Sequence, residues 1–326
     1  MKLSEIIDII TPDLEHVERE LEESIGSLVP LAYEMSKYIL ESGGKKFRPS
    51  VLLLSSGACG LVNGEERIKS AVAIELIHTA TLLHDDVVDE ADIRRGKKAS
   101  NIIWGSKASV LVGDFMLARA LGLLSSTGSL EVIKSVTEAA AKLAEGQVYE
   151  VMVAKNMVEV SEQICFDIIE NKTASLLESC GKVGAILAGA DADTKEALGN
   201  YGFNLGIAFQ LTDDALDYSA TEEEFGKKIG QDLNEGKMTL PLVYALREAS
   251  SREKSTVMDI LQNNGFQKEE ADFIVDIVEK YKGVHQTKAA ARDFAHKATN
   301  FISALPQNEF KKSLALLADH VVERRK

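Results

Sequence analysis

The sequence predicts an all-α fold. Only five prolines occur in 326 residues, and none lies between Pro49 and Pro241, so long helices can run through this stretch without interruption. Aromatic residues make up 6% of the chain, and most apolar residues are Leu, Ala, Ile or Val, a composition that favours helices. Apolar positions recur at helical spacing, and no segment shows the strict alternation of a half-buried strand.

The helices are predicted in chain order from their end signals. Thr11 is expected to cap the first helix, with Pro12 in its first turn. Gly43 and Gly44 are expected to end the second helix, and Pro49 begins the third. The predicted helical segments are 13–25, 31–42, 49–58, 65–92, 107–125, 130–154, 161–189, 193–217, 238–249 and three or four more up to 324.

The connections between these segments are short. The segment RRGKKASN at 94–101 is predicted to be a loop, and no linker rich in Ser, Pro or Gly divides the chain. No sequence period of roughly 20–50 residues repeats, which argues against a solenoid. The sequence therefore predicts one domain over residues 1–326.

Charge and cysteine content restrict the function. The net charge of −14 argues against a nucleic-acid binder, although a local basic pocket for a small anion remains compatible with it. The N-terminal MKLSEIIDII does not resemble a signal peptide, and no window of eighteen apolar residues predicts a membrane span. Three widely spaced cysteines form neither a disulfide framework nor a zinc motif. A soluble, cytoplasmic protein is expected.

Two acidic clusters share the pattern D-D-x-x-D. They are Asp85, Asp86 and Asp89 in LLHDDVVDEAD, and Asp213, Asp214 and Asp217 in FQLTDDALDYS. On a helix the first and last aspartates of each cluster share a face, and each close pair repels by about 1–4 kcal/mol unless a cation binds. Magnesium suits such carboxylates together with substrate phosphates. The duplication argues against two solvated helix ends, and the first cluster lacks the pattern of a calcium loop.

Basic residues suited to a phosphorylated ligand lie near these clusters in the sequence. They are Lys45, Lys46 and Arg48 in GGKKFRP, His78 two helical turns before the first cluster, Arg94 and Arg95 after it, Lys172 beside Thr173 in ENKTASLL, and Lys227 and Lys237. Arginine makes bidentate phosphate contacts, and lysine acts as a mobile point charge. The glycine-rich segment GGKKFRP is not a P-loop, because it lacks that motif and no strand precedes it.

Taken together, these motifs resemble the trans-isoprenyl diphosphate synthases, and in particular the long-chain polyprenyl synthases that make quinone side chains. The resemblance covers about residues 43–245 and rests on GGKKFRP, ELIHTATLLHDDVVDEADIRRGK, GDFMLARA, EGQ, NKTASL, GIAFQLTDDALD and GKKIGQDLNEGKMTLP. It implies a single-domain bundle of long antiparallel helices around a deep central cavity, paired as a homodimer.

The resemblance also implies roles for individual residues. Two or three magnesium ions would bridge the allylic diphosphate and bind Asp85, Asp89 and Asp213, supported by Asp86, Asp214 and Asp217. The allylic diphosphate would be held by Arg94, Lys172, Lys227 and Lys237. The diphosphate of isopentenyl diphosphate would be held by Lys45, Arg48, His78 and Arg95. The reacting carbons would be lined by Thr173 and Gln210.

Product length is predicted from the residues that precede the first cluster. At 1.5 Å per residue, Ala80 and Thr81 lie roughly 6–7.5 Å from Asp85 along the helix axis. In the family that this sequence resembles, an aromatic residue at this level stops elongation early. Small residues here imply a longer product, octaprenyl diphosphate or one of similar length, with Ile77 deeper in the cavity.

Several alternatives stay open at this stage. They are a shorter-chain farnesyl or geranylgeranyl synthase and a head-to-head enzyme of the squalene or phytoene type. The sequence argues against a terpene cyclase, because the second cluster is DDALD, and against a non-catalytic partner subunit, because neither acidic cluster nor the basic pair is lost. A helical scaffold would not explain the clustered charges. The basic end, Arg324-Arg325-Lys326, is predicted to be a solvated terminus, and contact with a membrane surface or with the site is the alternative.

Overall fold

The computed structural model describes residues 2–155, 160–218, 237–262 and 268–324. Its α-helices are α1 Leu3–Ile6, α2 Thr11–Ser24, α3 Pro30–Glu41, α4 Phe47–Ala58, α5 Glu65–Val88, α6 Ser100–Trp104, α7 Ser106–Ser126, α8 Leu130–Ala154, α9 Glu162–Ile169, α10 Ser175–Leu187, α11 Ala192–Asp217, α12 Leu240–Glu248, α13 Ser251–Gln262, α14 Lys268–Lys280, α15 Gly283–Phe301 and α16 Glu309–Glu323. A 3-10 turn covers Asp8–Ile10. The predicted all-α class is confirmed.

Several helix bounds differ from the sequence prediction, and α4 begins at Phe47 rather than at Pro49. Thr11 is the first residue of α2 rather than its cap, and no side chain caps that helix. Helix α5 ends at Val88, with Asp89 as its C-cap, whereas the predicted helix continues to residue 92. The single helix predicted over 161–189 is interrupted by a π-helical turn at Glu170–Ala174, between α9 and α10. Such turns inside helices often occur at functional sites.

The predicted loop after α5 contains a small hairpin. Strand β1 at Ile93–Arg94 pairs in antiparallel register with β2 at Lys97–Lys98. Arg95 and Gly96 between them both have positive φ, at 50° and 76°. A two-residue connection with positive φ at both positions matches the twist of paired strands, which explains why this short segment forms a hairpin.

The chain forms two compact units. Unit 1 comprises Met1–Ala140, Leu176–Gly202 and Ile302–Leu314, and unit 2 comprises Ala141–Ser175, Phe203–Phe301 and Ala315–Lys326. The single domain over 1–326 stays a prediction.

Helix α5 is the central element of unit 1. It packs most extensively against α7 and also against α2, α4 and α6. Almost every residue from Arg67 to Ala80 is buried, including Ile74 and Leu76. A helix that is buried on all sides is held rigidly by its neighbours. The acidic residues at its C-terminal end are therefore presented on a fixed support.

Unit 2 contains two hydrophobic clusters. One joins Leu242 of α12 to Ile274 and Val278 of α14. The other joins α9 and α11 through residues such as Cys165 and Leu211. The second cluster supports the π-helical turn, because Ala174 belongs to it.

Helix α7 is long and apolar enough to cross a membrane by length and composition, which the sequence reasoning did not predict. One third of its most apolar stretch is buried inside the structure. The helix also contains Asp114 and Arg119, and Arg119 Nε donates a hydrogen bond to the Ser24 carbonyl at 2.6 Å. Packed helices of water-soluble proteins have the same length and composition.

Candidate functional site

The two acidic clusters occupy the C-terminal ends of two long helices. Asp85 and Asp86 lie in the last turn of α5, and Asp89 is its C-cap. The second cluster forms the end of α11 at Asp217. The negative end of a helix dipole disfavours carboxylates by about 0.3–1 kcal/mol each. Both clusters therefore favour binding of a cation more strongly than their charges alone would predict.

The second aspartate of the first cluster is buried. Asp86 accepts a hydrogen bond from Arg94 Nε at 2.6 Å, while its Oδ2 atom has no hydrogen-bond partner among the described residues. Burial raises the pKa of Asp86, and the Arg94 guanidinium opposes that shift. Asp85 and Asp89 are partly exposed. The predicted sharing of one face by the first and last aspartates agrees with this pattern of burial.

A group of basic side chains in unit 1 includes a buried carboxylate. Lys46, which adopts a left-handed conformation before α4, places its Nζ 3.4 Å from Glu75 Oε1, and both side chains are nearly buried. Lys45, the neighbour that the sequence reasoning selected, is exposed. Glu75 therefore provides a counter-charge within a group of cations.

His78 lies among the predicted diphosphate-binding cations. Burial lowers the pKa of His78 well below its usual range, and nearby Arg48 and Arg95 lower it further. Arg95 packs against Gly44, where a Cβ atom would lie 3.2 Å from its Nη1. The structure thus brings Arg48, His78 and Arg95 together, with the histidine neutral near pH 7.

The predicted chain-length residues lie on α5. Ile77 and Ala80 are buried, and Thr81 is partly exposed. Thr81 Oγ1 donates a hydrogen bond to the His78 carbonyl at 2.8 Å.

The second cluster is linked to the π-helical turn by a short chain of hydrogen bonds. Thr173 Oγ1 donates to Gln210 Oε1 at 3.0 Å, and Gln210 Nε2 donates to Asp214 Oδ1 at 2.9 Å. Asp214 is buried, whereas Asp213 and Asp217 are partly exposed. Thr173 has thus donated its only proton, and its oxygen lone pairs remain available to a positive centre.

Two glycines allow this arrangement. A Cβ atom at Gly206 of α11 would lie 2.6 Å from Ala174 Cα, and one at Gly146 of α8 would lie 2.7 Å from the Lys172 backbone nitrogen. Both helices therefore approach the π-helical turn closely, which explains the glycines in the EGQ and GIAFQ motifs. One turn after Gly206, Gln210 reaches Thr173.

Two predicted lysines share one carboxylate. Lys172 Nζ donates a hydrogen bond to Glu150 Oε2 at 2.5 Å, and Lys237 Nζ lies 3.9 Å from the same oxygen. Lys227 lies outside the described residues.

Arg324 contacts the second cluster, contrary to the prediction of a solvated terminus. Its Nη2 lies 2.7 Å from Asp213 Oδ1 and donates a hydrogen bond to the Phe209 carbonyl at 2.9 Å. Its guanidinium carbon lies 4.1 Å from the centre of the Phe209 ring, and the side chain is only 10% exposed. A protein cation thus contacts a predicted metal ligand.

The donor set suits a hard divalent cation. Each cluster supplies carboxylate oxygens, the ligands that such a cation prefers. In the first cluster, Asp86 Oδ2 is buried and has no hydrogen-bond partner among the described residues. Across the described part of the chain, no three His, Cys, Asp or Glu side chains lie together so that they could hold a metal ion by themselves. Magnesium requires no such cage, because it commonly retains waters and binds substrate phosphates.

Sequence reasoning missed the site contacts of Lys46, Glu75 and Glu150, and gave contact of Arg324 with the site only as the alternative to a solvated terminus. Lys46 belongs to GGKKFRP, Glu75 begins ELIHTATLLHDD, and Glu150 lies three residues after EGQ. Glu75 and Glu150 are charged residues on helices that are predicted to be largely apolar. Such a charge in an apolar helix is a signal from which a buried ion pair could have been predicted. The position of Arg324 has no comparable signal, because only tertiary folding brings it to Asp213.

Comparison with known proteins identifies the family. A model of the polyprenyl synthetase family matches residues 29–278. The chain belongs to this family. It is 39% identical to octaprenyl diphosphate synthase of Haemophilus influenzae over 99% of this chain and 98% of that one. The polyprenyl synthetase family assignment makes the protein a trans-prenyltransferase, as the resemblance implied.

Two further similarities show the range of the family. A short chain isoprenyl diphosphate synthase of Methanothermobacter thermautotrophicus is 36% identical over 99% of both chains. The crystal structure of polyprenyl synthase from Caulobacter crescentus, complexed with calcium and isoprenyl diphosphate, has a TM-score of 0.94 and 35% identity, covering 100% of this chain and 98% of that one. The latter supports the predicted isoprenoid synthase fold.

Proposed function

We propose that the protein condenses an allylic diphosphate with successive molecules of isopentenyl diphosphate by trans 1'-4 addition. The proposed product is a long-chain all-trans polyprenyl diphosphate, octaprenyl or of similar length, for quinone side chains. The observation that carries the proposal is the pair of D-D-x-x-D clusters at the C-terminal ends of α5 and α11, each in contact with an arginine. The similarity to octaprenyl diphosphate synthase supports the chain length.

The proposed cofactor is magnesium, as two or three ions held by Asp85, Asp89 and Asp213. The calcium in the Caulobacter crescentus complex supports a divalent cation. Bound magnesium supplies charge neutralisation for the departing diphosphate. The buried Asp86 carboxylate holds Arg94 at 2.6 Å and so fixes a further cation beside this cluster.

A second set of residues is proposed to bind the allylic diphosphate and to stabilise the cation that it forms. Lys172, Lys237, Arg94 and Lys227 hold the allylic diphosphate as its carbon–oxygen bond breaks. Thr173 directs its oxygen lone pairs at the allylic cation because its hydroxyl proton is committed to Gln210. Apolar side chains exclude water, which would quench that cation. The leaving diphosphate is the proposed base for the final proton.

The second substrate is assigned to the group of basic side chains in unit 1. Lys45, Arg48 and Arg95 supply positive charge for isopentenyl diphosphate. Neutral His78 supplies a hydrogen-bond donor there without further repulsion among the cations. The buried Glu75 carboxylate offsets part of the positive charge in the free enzyme.

The main alternative is a shorter-chain synthase, and the Methanothermobacter thermautotrophicus relative supports it. Small side chains at Ala80 and Thr81 favour the longer product. A head-to-head synthase is disfavoured because it needs no pocket for isopentenyl diphosphate.

The proposed assembly is a homodimer. Helix α7 exposes an apolar face that includes Leu111, 67% exposed, with Val110 and Leu121. Exposed apolar side chains grouped on one helix are typical of an interface between copies of one chain. Sedimentation equilibrium of the wild type and of a Leu111→Glu variant tests this proposal, and a monomeric wild type contradicts it.

We also propose a cytoplasmic location with transient membrane contact when the insoluble product leaves. The three cysteines are free, and Cys165 and Cys180 are buried, which suits a reducing compartment. Cell fractionation tests the proposal, and a stably membrane-inserted protein contradicts it.

The decisive experiment is a product assay. Purified protein is incubated with magnesium, an allylic diphosphate and labelled isopentenyl diphosphate, and the dephosphorylated products are sized by chromatography. A ladder ending near eight isoprene units, the length of the octaprenyl relative's product, supports the proposal. Full activity in excess chelator refutes the metal requirement, and a product of a few units supports the shorter-chain alternative.

Variants of the acidic clusters test the assigned residues. Asp85→Ala and Asp213→Ala each remove a proposed metal ligand and should lower turnover by about 10²- to 10⁴-fold, equivalent to about 3–5 kcal/mol. Asp193→Ala, at an exposed position in the first turn of α11, is the matched control and should retain wild-type turnover. Equal activity of all three variants would contradict the assignment.

A further inference from the structure

Glu150 of α8 lies between two lysines that sequence reasoning assigned to the allylic diphosphate. Its Oε2 atom accepts a hydrogen bond from Lys172 Nζ at 2.5 Å and lies 3.9 Å from Lys237 Nζ. All three side chains are largely buried. One carboxylate oxygen thus contacts two cations in a place that solvent screens poorly.

The backbone fixes where this carboxylate lies. Gly146, one helical turn before Glu150, brings α8 against the π-helical turn, with space for no side chain between Gly146 and the Lys172 backbone nitrogen. Gln147 beside it belongs to the same packed surface, because both of its amide atoms are buried. Glu150 therefore projects from a rigid support, whereas each lysine ammonium sits on a flexible four-carbon stem.

Electrostatics gives this contact a consequence for the two lysines. Two ammonium groups near one another repel, and without a carboxylate between them their stems would diverge into other rotamers. The Glu150 carboxylate, hydrogen-bonded to Lys172 and 3.9 Å from Lys237 Nζ, holds the two ammonium groups close to each other. Preorganised cations stabilise a leaving group more effectively than mobile ones.

We propose that Glu150 is a positioning residue that holds Lys172 and Lys237 as a preorganised pair for the allylic diphosphate. The inference rests on the proposed function, in which both lysines hold that group. Glu150 acts through the lysines and does not contact substrate. It also contributes a negative charge near the diphosphate site, so its loss removes orientation while adding net positive charge.

These opposite effects give a specific kinetic test. Glu150→Gln keeps the shape of the side chain and removes its charge. The variant should lower kcat at least tenfold, because the lysines lose their alignment. Its dissociation constant for inorganic diphosphate with magnesium, measured by calorimetry, should be unchanged or lower because the site gains positive charge. Glu150→Asp, which restores the charge, should recover part of kcat.

The matched control is Glu145→Gln, an exposed position of the same helix and the same motif. This variant should match the wild type in kcat and in diphosphate binding. An unchanged kcat in Glu150→Gln overturns the proposal, as does weaker diphosphate binding in proportion to the loss of kcat. If Glu150→Gln does not fold, a wild-type kcat in Glu150→Asp would also overturn it, because the shorter side chain cannot reach both lysines equally.

A second readout is independent of turnover. The rates at which an amine-reactive reagent labels Lys172 and Lys237 are measured by peptide mass spectrometry. Both rates should rise in Glu150→Gln and stay unchanged in Glu145→Gln, because a lysine that no longer contacts the carboxylate is more accessible to the reagent. Unchanged labelling overturns the paired arrangement. A wild-type enzyme that transfers no prenyl group refutes the proposed function instead, whatever the labelling shows.

Discussion

The contact between Arg324 and Asp213 predicts a competition between a protein cation and the metal. The Arg324 side chain is 10% exposed and Asp213 is 42% exposed, with 2.7 Å between Nη2 and Oδ1. The attraction between two such charges is about 1 kcal/mol in bulk water and about 4 kcal/mol near a protein surface. The exposure of Asp213 and the cost of desolvating Arg324 place the net coupling near the lower limit, about 1–2 kcal/mol.

A double-mutant cycle measures this coupling. Arg324→Gln, Asp213→Asn and the double variant are unfolded in urea, first without metal and then with saturating magnesium and diphosphate. We expect a coupling of about 1–2 kcal/mol without metal and less than about 0.5 kcal/mol with it. The reason is that a metal ion on Asp213 takes the place of the guanidinium.

An exposed pair in the same unit provides the control. Arg247 and Glu162 are 3.4 Å apart and about half exposed, so their coupling should be small and the same in both conditions. A coupling between Arg324 and Asp213 that does not change with magnesium and diphosphate refutes the competition. In that event Arg324 stays on Asp213 in the loaded enzyme.

Three further predictions concern the basic side chains of unit 1 and the α5 helix. Arg48→Ala should raise KM for isopentenyl diphosphate more than KM for the allylic primer, and equal effects in steady-state kinetics would contradict the assignment. Ala80→Tyr should shorten the main product while the first condensation persists, and Ala80→Ser is the control. An unchanged product in a folded, active Ala80→Tyr variant would contradict the proposal that the growing hydrocarbon passes this face of α5. Because the pKa of His78 is lowered in the folded state, only the unfolded chain gains this proton below about pH 6.5. The stability of the wild type relative to His78→Gln should therefore fall by up to about 1.4 kcal/mol per pH unit below that point and stay constant above it, and a pH-independent difference in urea unfolding would be evidence against a buried neutral histidine.

The residue pattern alone predicted the helices and the acidic clusters because both depend on local spacing. Apolar periodicity and proline placement identified α5, α7, α8 and α11 to within a few residues, since helix formation depends on interactions between residues three and four positions apart. The same spacing predicted that Asp85 and Asp89 share a face. The π-helical turn was not predicted. It lies where α8 and α11 approach closely at Gly146 and Gly206, a tertiary contact that local spacing does not indicate.

Tertiary structure decided which charges pair. The sequence supplied an excess of carboxylates and several basic motifs, but pairing of a lysine or arginine depends on which acids folding brings within a few ångströms. Glu150 meets Lys172 across 22 positions, and Arg324 meets Asp213 from the far end of the chain. Lys46, which is left-handed at the start of α4, reaches Glu75, whereas the neighbouring Lys45 is exposed. Local spacing thus determined the helices and the faces of the acidic residues, whereas long-range packing selected the cations beside them, because electrostatic partners are chosen by distance in space and not along the chain.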